Sequence, residues 1–163
     1  MWTEEASVEA AKALGAKATA WARDHIVDEE GEVTPTIFAL KGDGHLLMIE
    51  PVVTGLDELV RGMRRVVRDN GLIATAFVSE ATLLRKPASI PEEEDWSAEE
   101  ALAVAGPGDL TRVLTVTVET VYGVSHVMYA IAEDRGSLTH LPDMSTESFN
   151  MRWFDDPDEA LQA

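Results

Sequence analysis

Residues 56–79 read LDELVRGMRRVVRDNGLIATAFVS, and the apolar period changes in the middle of that stretch. Over 56–69, Leu56, Leu59, Val60, Met63, Val66 and Val67 recur at helical spacing and form one face. Asn70-Gly71 follows. Such a pair ends a helix, because glycine takes the left-handed cap conformation without a Cβ clash. Residues 72–79 then alternate: Ile73 and Phe77 point one way, Ala74, Ala76 and Val78 the other. Both sets are apolar, so the strand is expected to be central and covered on both faces. A helix running directly into such a strand implies helices packed on a sheet.

Upstream, residues 33–41 (VTPTIFALK) and 45–50 (HLLMIE) read as two strands joined by Gly42-Asp43-Gly44, whose residues tolerate the positive φ of a hairpin turn. Pro35 places the first of them near an edge or at its own start. The connection from the second strand through the 56–69 helix suits a parallel, right-handed pairing. Residues 4–24 are rich in alanine and free of proline, and read as a helix with Ala11, Leu14, Ala18 and Trp21 as its buried stripe. Small side chains there suit close packing on the sheet. The exit, Asp28-Glu29-Glu30-Gly31-Glu32, reads as a polar loop.

Downstream, residues 85–110 interrupt the pattern. Pro87, Pro91 and Glu92-Glu93-Glu94-Asp95-Trp96 form an acidic loop, and Ser97-x-x-Glu100 is a capping box that opens a short helix through Val104. Residues 111–121 alternate Leu114, Val116 and Val118 against Thr115, Thr117 and Glu119. Gly123 marks a hairpin, and residues 125–133 return with Val127, Tyr129 and Ile131 inward. Past Pro142 the chain is polar apart from Phe149, Met151, Trp153 and Phe154. The expectation is one α+β domain over 1–163, in the order α-β-β-α-β-β-β. Its mixed, mostly antiparallel five-stranded sheet packs with two main helices. An acidic insert spans 86–110, and an acidic, extended tail spans 143–163.

Thirty acids against thirteen lysines and arginines give a net charge of −17. The excess is local: −5 over 1–32, −6 over 86–110 and −6 over 133–163, with 33–85 and 111–132 neutral. Such a chain repels nucleic-acid backbones and anionic membranes, so neither is the expected partner. A basic protein, or mimicry of nucleic acid, fits the charge better, and a homo-oligomer is compatible with the composition. There is no cysteine, which removes thiolate chemistry and fits a reducing compartment. The acidic start Met1-Trp2-Thr3-Glu4-Glu5 is unlike a signal peptide, and no run approaches the ~18 apolar residues of a membrane span. A cytoplasmic location is expected.

Motifs for chemistry are few. Gly42-Asp43-Gly44 lacks the later glycine of a dinucleotide loop, and no phosphate loop or nucleophile elbow is present. Ser125 and His126 are neighbours on a strand, so their side chains take opposite faces. His25, His45, His126 and His140 stand at no ligand spacing, and no metal or other cofactor is expected. His25 with Asp28 and Glu29 reads as a helix-exit cluster, and Asp43 with His45 as turn chemistry. Glu50 and Glu80 end strands and, if they met in a cleft with a histidine, could do acid/base work. Arg61, Arg64, Arg65 and Arg68 on the second helix form the basic cluster. They read as a solvated face, as a partner site, or as a counter-charge to the chain's own insert.

The stretch from Gly31 through Pro35 and Phe38, the Gly42-Asp43-Gly44 hairpin, the second helix and Ala76-Phe77-Val78-Ser79-Glu80-Ala81 resemble small acidic proteins of bacterial and phage genomes. The resemblance covers about residues 28–132, and the insert at 92–110 and the aromatic tail depart from it. It implies the α+β outline and no particular activity. The expected function is that of a non-enzymatic, acidic binding or accessory protein acting through protein–protein contacts, such as a phage or mobile-element effector. Its candidate contact residues are Arg61, Arg64, Arg65, Arg68, Glu92, Glu93, Glu94, Asp95, Trp96, Trp153 and Phe154. The alternatives are a small enzyme using the strand-end carboxylates with histidine, and a structural subunit of an oligomer or virion. For the tail aromatics, packing back on the domain competes with a role at an interface.

Overall fold

Gly71 sits at φ 59°, ψ 47°, and its N–H closes on the Val67 carbonyl, so helix α2 (Leu56–Asn70) stops there and β3 (Leu72–Leu84) starts one residue later. The computed structural model describes residues 2–29, 31–52, 55–84, 90–91, 95–141 and 152–154. Helix α1 (Glu4–Val27) opens at Thr3, whose hydroxyl accepts from the Ala6 N–H at 3.1 Å. Glu4 and Glu5 lie in its first turn, where the helix dipole favours acids. Strands β1 (Thr36–Lys41) and β2 (Leu46–Ile49) are joined through Gly44 at φ 90°. Pro35 precedes β1, which is an inner strand, so proline marks its start rather than an edge. Helix α3 (Ala98–Val104) begins at Ser97, whose hydroxyl accepts from the Glu100 N–H at 3.1 Å. A 3-10 turn at Pro107–Asp109 leads to β4 (Leu110–Thr120), β5 (Gly123–Ile131) and β6 (Leu138–Leu141).

Among the described residues the strands form one six-stranded sheet in the order β2-β1-β3-β4-β5-β6, and every neighbouring pair is antiparallel. Three expectations are corrected. The crossover through α2 makes no parallel pair: β2 and β3 run the same way with β1 between them. The local hairpin already places β1 beside β2, and β3 adds to the remaining edge of β1, where Phe38 and Leu40 lie opposite Ala76 and Ala74. The sheet has a sixth strand, because four residues with only Leu138 and Leu141 apolar are too short for periodicity to register. Finally, β3 continues five residues past Ser79, and its extension Glu80–Leu84 pairs with Leu110–Leu114.

Helix α1 crosses one face. Ala11, Ala18 and Ala22 meet Ala74 and Ala76 in a core completed by Leu14, Ile26, Phe38, Val78, Leu114, Val116 and Ile131. Small against small brings helix and sheet close, and a Cβ at Gly15 would lie 2.8 Å from Val118 Cγ2. The other face carries α2, with Leu59 and Met63 over Ile37, Ala39 and Leu72, and with Trp153 and Phe154 in the same cluster. β3 is therefore covered on both sides, as its two apolar faces imply. Among the described residues no helix is long and apolar enough to cross a membrane.

Candidate functional site

Among the described residues helix α1 packs chiefly against β3 and β4, less against β1, and does not cover the first part of β5. The result is a groove of about 790 Å³ between α1 and the β4–β5 hairpin. From α1 it is lined by Val8 and Ala16, and from the strands by Val118, Val124, Val127 and Tyr129. The polar side chains of α1 along it are Glu4, Lys12, Thr19 and Arg23. Lys12 pairs with Glu9 at 3.4 Å. Val116, Val118, Val127 and Tyr129 belong to the alternation that points inward in both strands. A single helix is too narrow to cover all of them, so among the described residues the apolar face extends past α1.

The opposite face is closed by the segment 152–154. Glu119 holds it: Oε1 accepts from Arg152 Nε at 3.0 Å, and Oε2 accepts from the Trp153 and Phe154 N–H groups at 3.1 Å each. The Trp153 indole N–H donates to Thr75 Oγ1 at 2.8 Å, and its ring meets Phe77 edge-on. Burial pushes the Glu119 carboxyl above its ordinary value, and the bonds from Arg152, Trp153 and Phe154 oppose that push. Beside Trp153 lies a small cavity of about 90 Å³, lined by Phe77, Ser79, Thr115, Thr117 and His126. Its polar groups bond across strands, Ser79 to Thr115 at 3.1 Å and Thr117 to His126 Nδ1 at 2.9 Å.

The residues singled out from sequence fall in separate places. Trp153 and Phe154, at 2% and 5% exposure, are core residues, so of the two accounts of the tail aromatics the packed one describes them. Arg61, Arg64, Arg65 and Arg68 are exposed on α2. Arg61 Nε donates to the Asp57 carbonyl of its own helix at 3.4 Å, and Arg64 Nε donates to the Arg152 carbonyl at 3.0 Å, which ties this cluster to the C-terminal segment. Asp95 and Trp96 are exposed, while Glu92, Glu93 and Glu94 lie outside the described residues.

Glu80 and Glu50 do not share a cleft: Glu50 is exposed after the edge strand β2, and Glu80 is fully buried. Glu80 Oε2 accepts from the Val33 N–H at 2.6 Å. Its Oε1 pairs with Arg135 Nη2 at 2.8 Å, but that guanidinium N–H is aimed at the Gly31 carbonyl, so Oε1 has no aligned hydrogen bond. Arg112 joins Glu32 to the same cluster. The cluster clasps the exit of α1 to the sheet. Arg135, the one described non-glycine residue at positive φ (58°), holds the β5–β6 turn against it.

His25 stacks on Trp21 and lies 2.7 Å from Glu29. His45 donates its N–H to Asp43 at 3.0 Å, which with the side-chain bond lowers the Asp43 pKa, as turn chemistry implies. Ser125 faces the groove and His126 the small cavity, on opposite faces. Among the described residues no group of His, Asp or Glu is placed to hold a metal ion.

No family model, no curated protein and no solved structure matches this chain. Two features escaped the sequence reading. Glu119 reads as one member of a polar strand face, and only the burial of that face by residues 33 positions away makes it a latch. The groove was half legible, in an inward-facing apolar set too wide for one helix.

Proposed function

We propose that this chain is a non-enzymatic binding protein acting through contacts with another protein, and that the groove between α1 and the β4–β5 hairpin receives the partner. The observation that carries this reading is an open, mainly apolar concavity of about 790 Å³ on a strongly acidic chain. Binding sites are concavities of about this size, with apolar walls and a few polar groups at the margin. The polar groups nearby fit a binding role better than a catalytic one. Glu80 and Glu119 are engaged in holding the chain together, and neither lines the groove. A charge of −17 turns away anionic surfaces, so affinity comes from apolar contact aided by attraction to basic groups of the partner.

A neutral solvatochromic dye, Nile red, tests the groove directly. The native chain should bind it with a blue-shifted rise in emission. Val127→Glu, which places a charge on the floor, and Ala16→Trp, which fills the groove from an exposed helix position, should each weaken binding at least about tenfold. Far-UV circular dichroism should remain that of the native chain. No dye binding by the native chain, or equal binding by both folded variants, would overturn the reading.

A further inference from the structure

We infer that the occupant of the groove is an amphipathic helix of another protein, apolar on one side and basic on the other, lying alongside α1; this rests on the binding role proposed above. The first argument is width. Six strands at ~4.8 Å spacing make a sheet about 24 Å across, and a packed helix covers about 10 Å of it. Helix α1 takes the part over β1, β3 and β4, and the groove beside it is the seat of one more helix.

Length agrees. The groove follows α1 from Glu4 to Arg23, and at 1.5 Å per residue that is about 28 Å, room for roughly 18 helical residues.

Backbone chemistry separates a helix from an extended segment. The floor is the face of β4 and β5, whose N–H and C=O groups are bonded to each other from Val113↔Ala130 to Thr120↔Gly123. An extended peptide on that face would leave its own polar backbone unpaired against valine, whereas a helix satisfies its backbone internally. At the edge of β5, β6 pairs with Met128–Ile131. A strand added there would extend the sheet sideways and leave the groove empty.

Charge selects among helices. Two copies of this chain each carry −17, which opposes a second copy as the occupant. The end of the groove at the β4–β5 turn lies beside the acidic first turn of α1, with Glu4 and Glu5. Beyond Ile131, at the other end of β5, the chain continues into Glu133-Asp134-Arg135. Among the described residues that line the groove the cations are Lys12, 3.4 Å from Glu9, and Arg23. A basic outer face on the partner helix is thus drawn to the acidic end at Glu4 and Glu5 and to a chain of net charge −17.

The experiment is displacement of groove-bound Nile red by synthetic peptides of about 18 residues. An amphipathic leucine–lysine helix should displace the dye. The same composition with two central prolines, and a leucine–glutamate helix, should each be weaker by at least about tenfold. Ala16→Trp should abolish binding of the leucine–lysine helix, followed by its own fluorescence anisotropy. Equal displacement by the proline peptide overturns the helix, and equal displacement by the leucine–glutamate peptide overturns the basic face, while dye binding keeps the groove standing. Undiminished peptide binding to Ala16→Trp places the contact elsewhere and overturns the inference. A dimer of the native chain in sedimentation, lost in Ala16→Trp, names a second copy instead. Failure of the dye itself to bind is the separate failure of the groove.

Discussion

Glu119 lies on a strand whose residues Thr115, Thr117 and Glu119 mark a polar face, yet it is 1% exposed. Its environment explains why a charge is tolerated there: one guanidinium and two backbone N–H groups meet the two oxygens, and the same bonds fix Trp153 over Thr75. Burial outweighs these partners and raises the carboxyl above the ordinary glutamate value of 4.5. The sign of the linkage follows. Between its unfolded and its raised folded value, Glu119 is protonated in the folded chain and ionised in the unfolded one. Its contribution to stability is therefore complete below that window and is lost as pH rises through it. Thermal melts of the native chain and Glu119→Gln from about pH 4 to about pH 7 should show the native chain losing stability relative to the variant as pH rises. Subtracting the variant removes the general effect of net charge. A native chain that instead gains on the variant would mean that the hydrogen bonds to the carboxylate prevail over burial.

Helix α1 approaches the sheet as closely as its small residues allow. Gly15 marks the limit, because a methyl group there would lie 2.8 Å from Val118 Cγ2. Alanine favours a helix interior over glycine by about 1 kcal/mol, whereas overpacking costs about 1–3 kcal/mol. Val118 is β-branched and held in a paired strand, so it cannot yield without a rotamer change. Gly15→Ala is therefore expected to destabilise the fold by about 1 kcal/mol in urea unfolding. In a double-mutant cycle with Val118→Ala the two costs should fall short of additivity, because removing the valine methyl groups frees the space. Additive costs would show that the strain at Gly15 lies elsewhere. The periodicity of α1 announced its helix and, in Ala11, Leu14 and Ala18, part of its buried stripe, but the closeness of the contact depended on Ala74 and Ala76, about 60 residues away in sequence.

At the scale of the molecule, −17 spread over 163 residues is a standing repulsion. Sodium chloride raised from about 10 mM to about 0.5 M shortens the screening length to a few ångströms and should raise Tm by several degrees. A fall in Tm would mean that attractive pairs such as Arg135–Glu80 and Arg152–Glu119 are weakened more than the repulsion is relieved. The sequence alone determined the α+β class, the order of the helices and strands from α1 to β5, the inward faces of β3, β4 and β5, the caps at Ser97 and Gly71, and the separation of Ser125 from His126. All of these rest on local periodicity, turn chemistry and the alternation of side chains, which act within a few residues. Only the tertiary structure decided that β3 joins β1 rather than β2, that a four-residue sixth strand closes the sheet, that Glu80 and Glu119 are buried clasps, and that an apolar groove stays open beside α1. Each of these is a matter of which distant surface comes to lie on which. A strand's neighbour and the cover over a polar face are set by the packing of whole layers, and the residues of one segment carry no record of their partner's width.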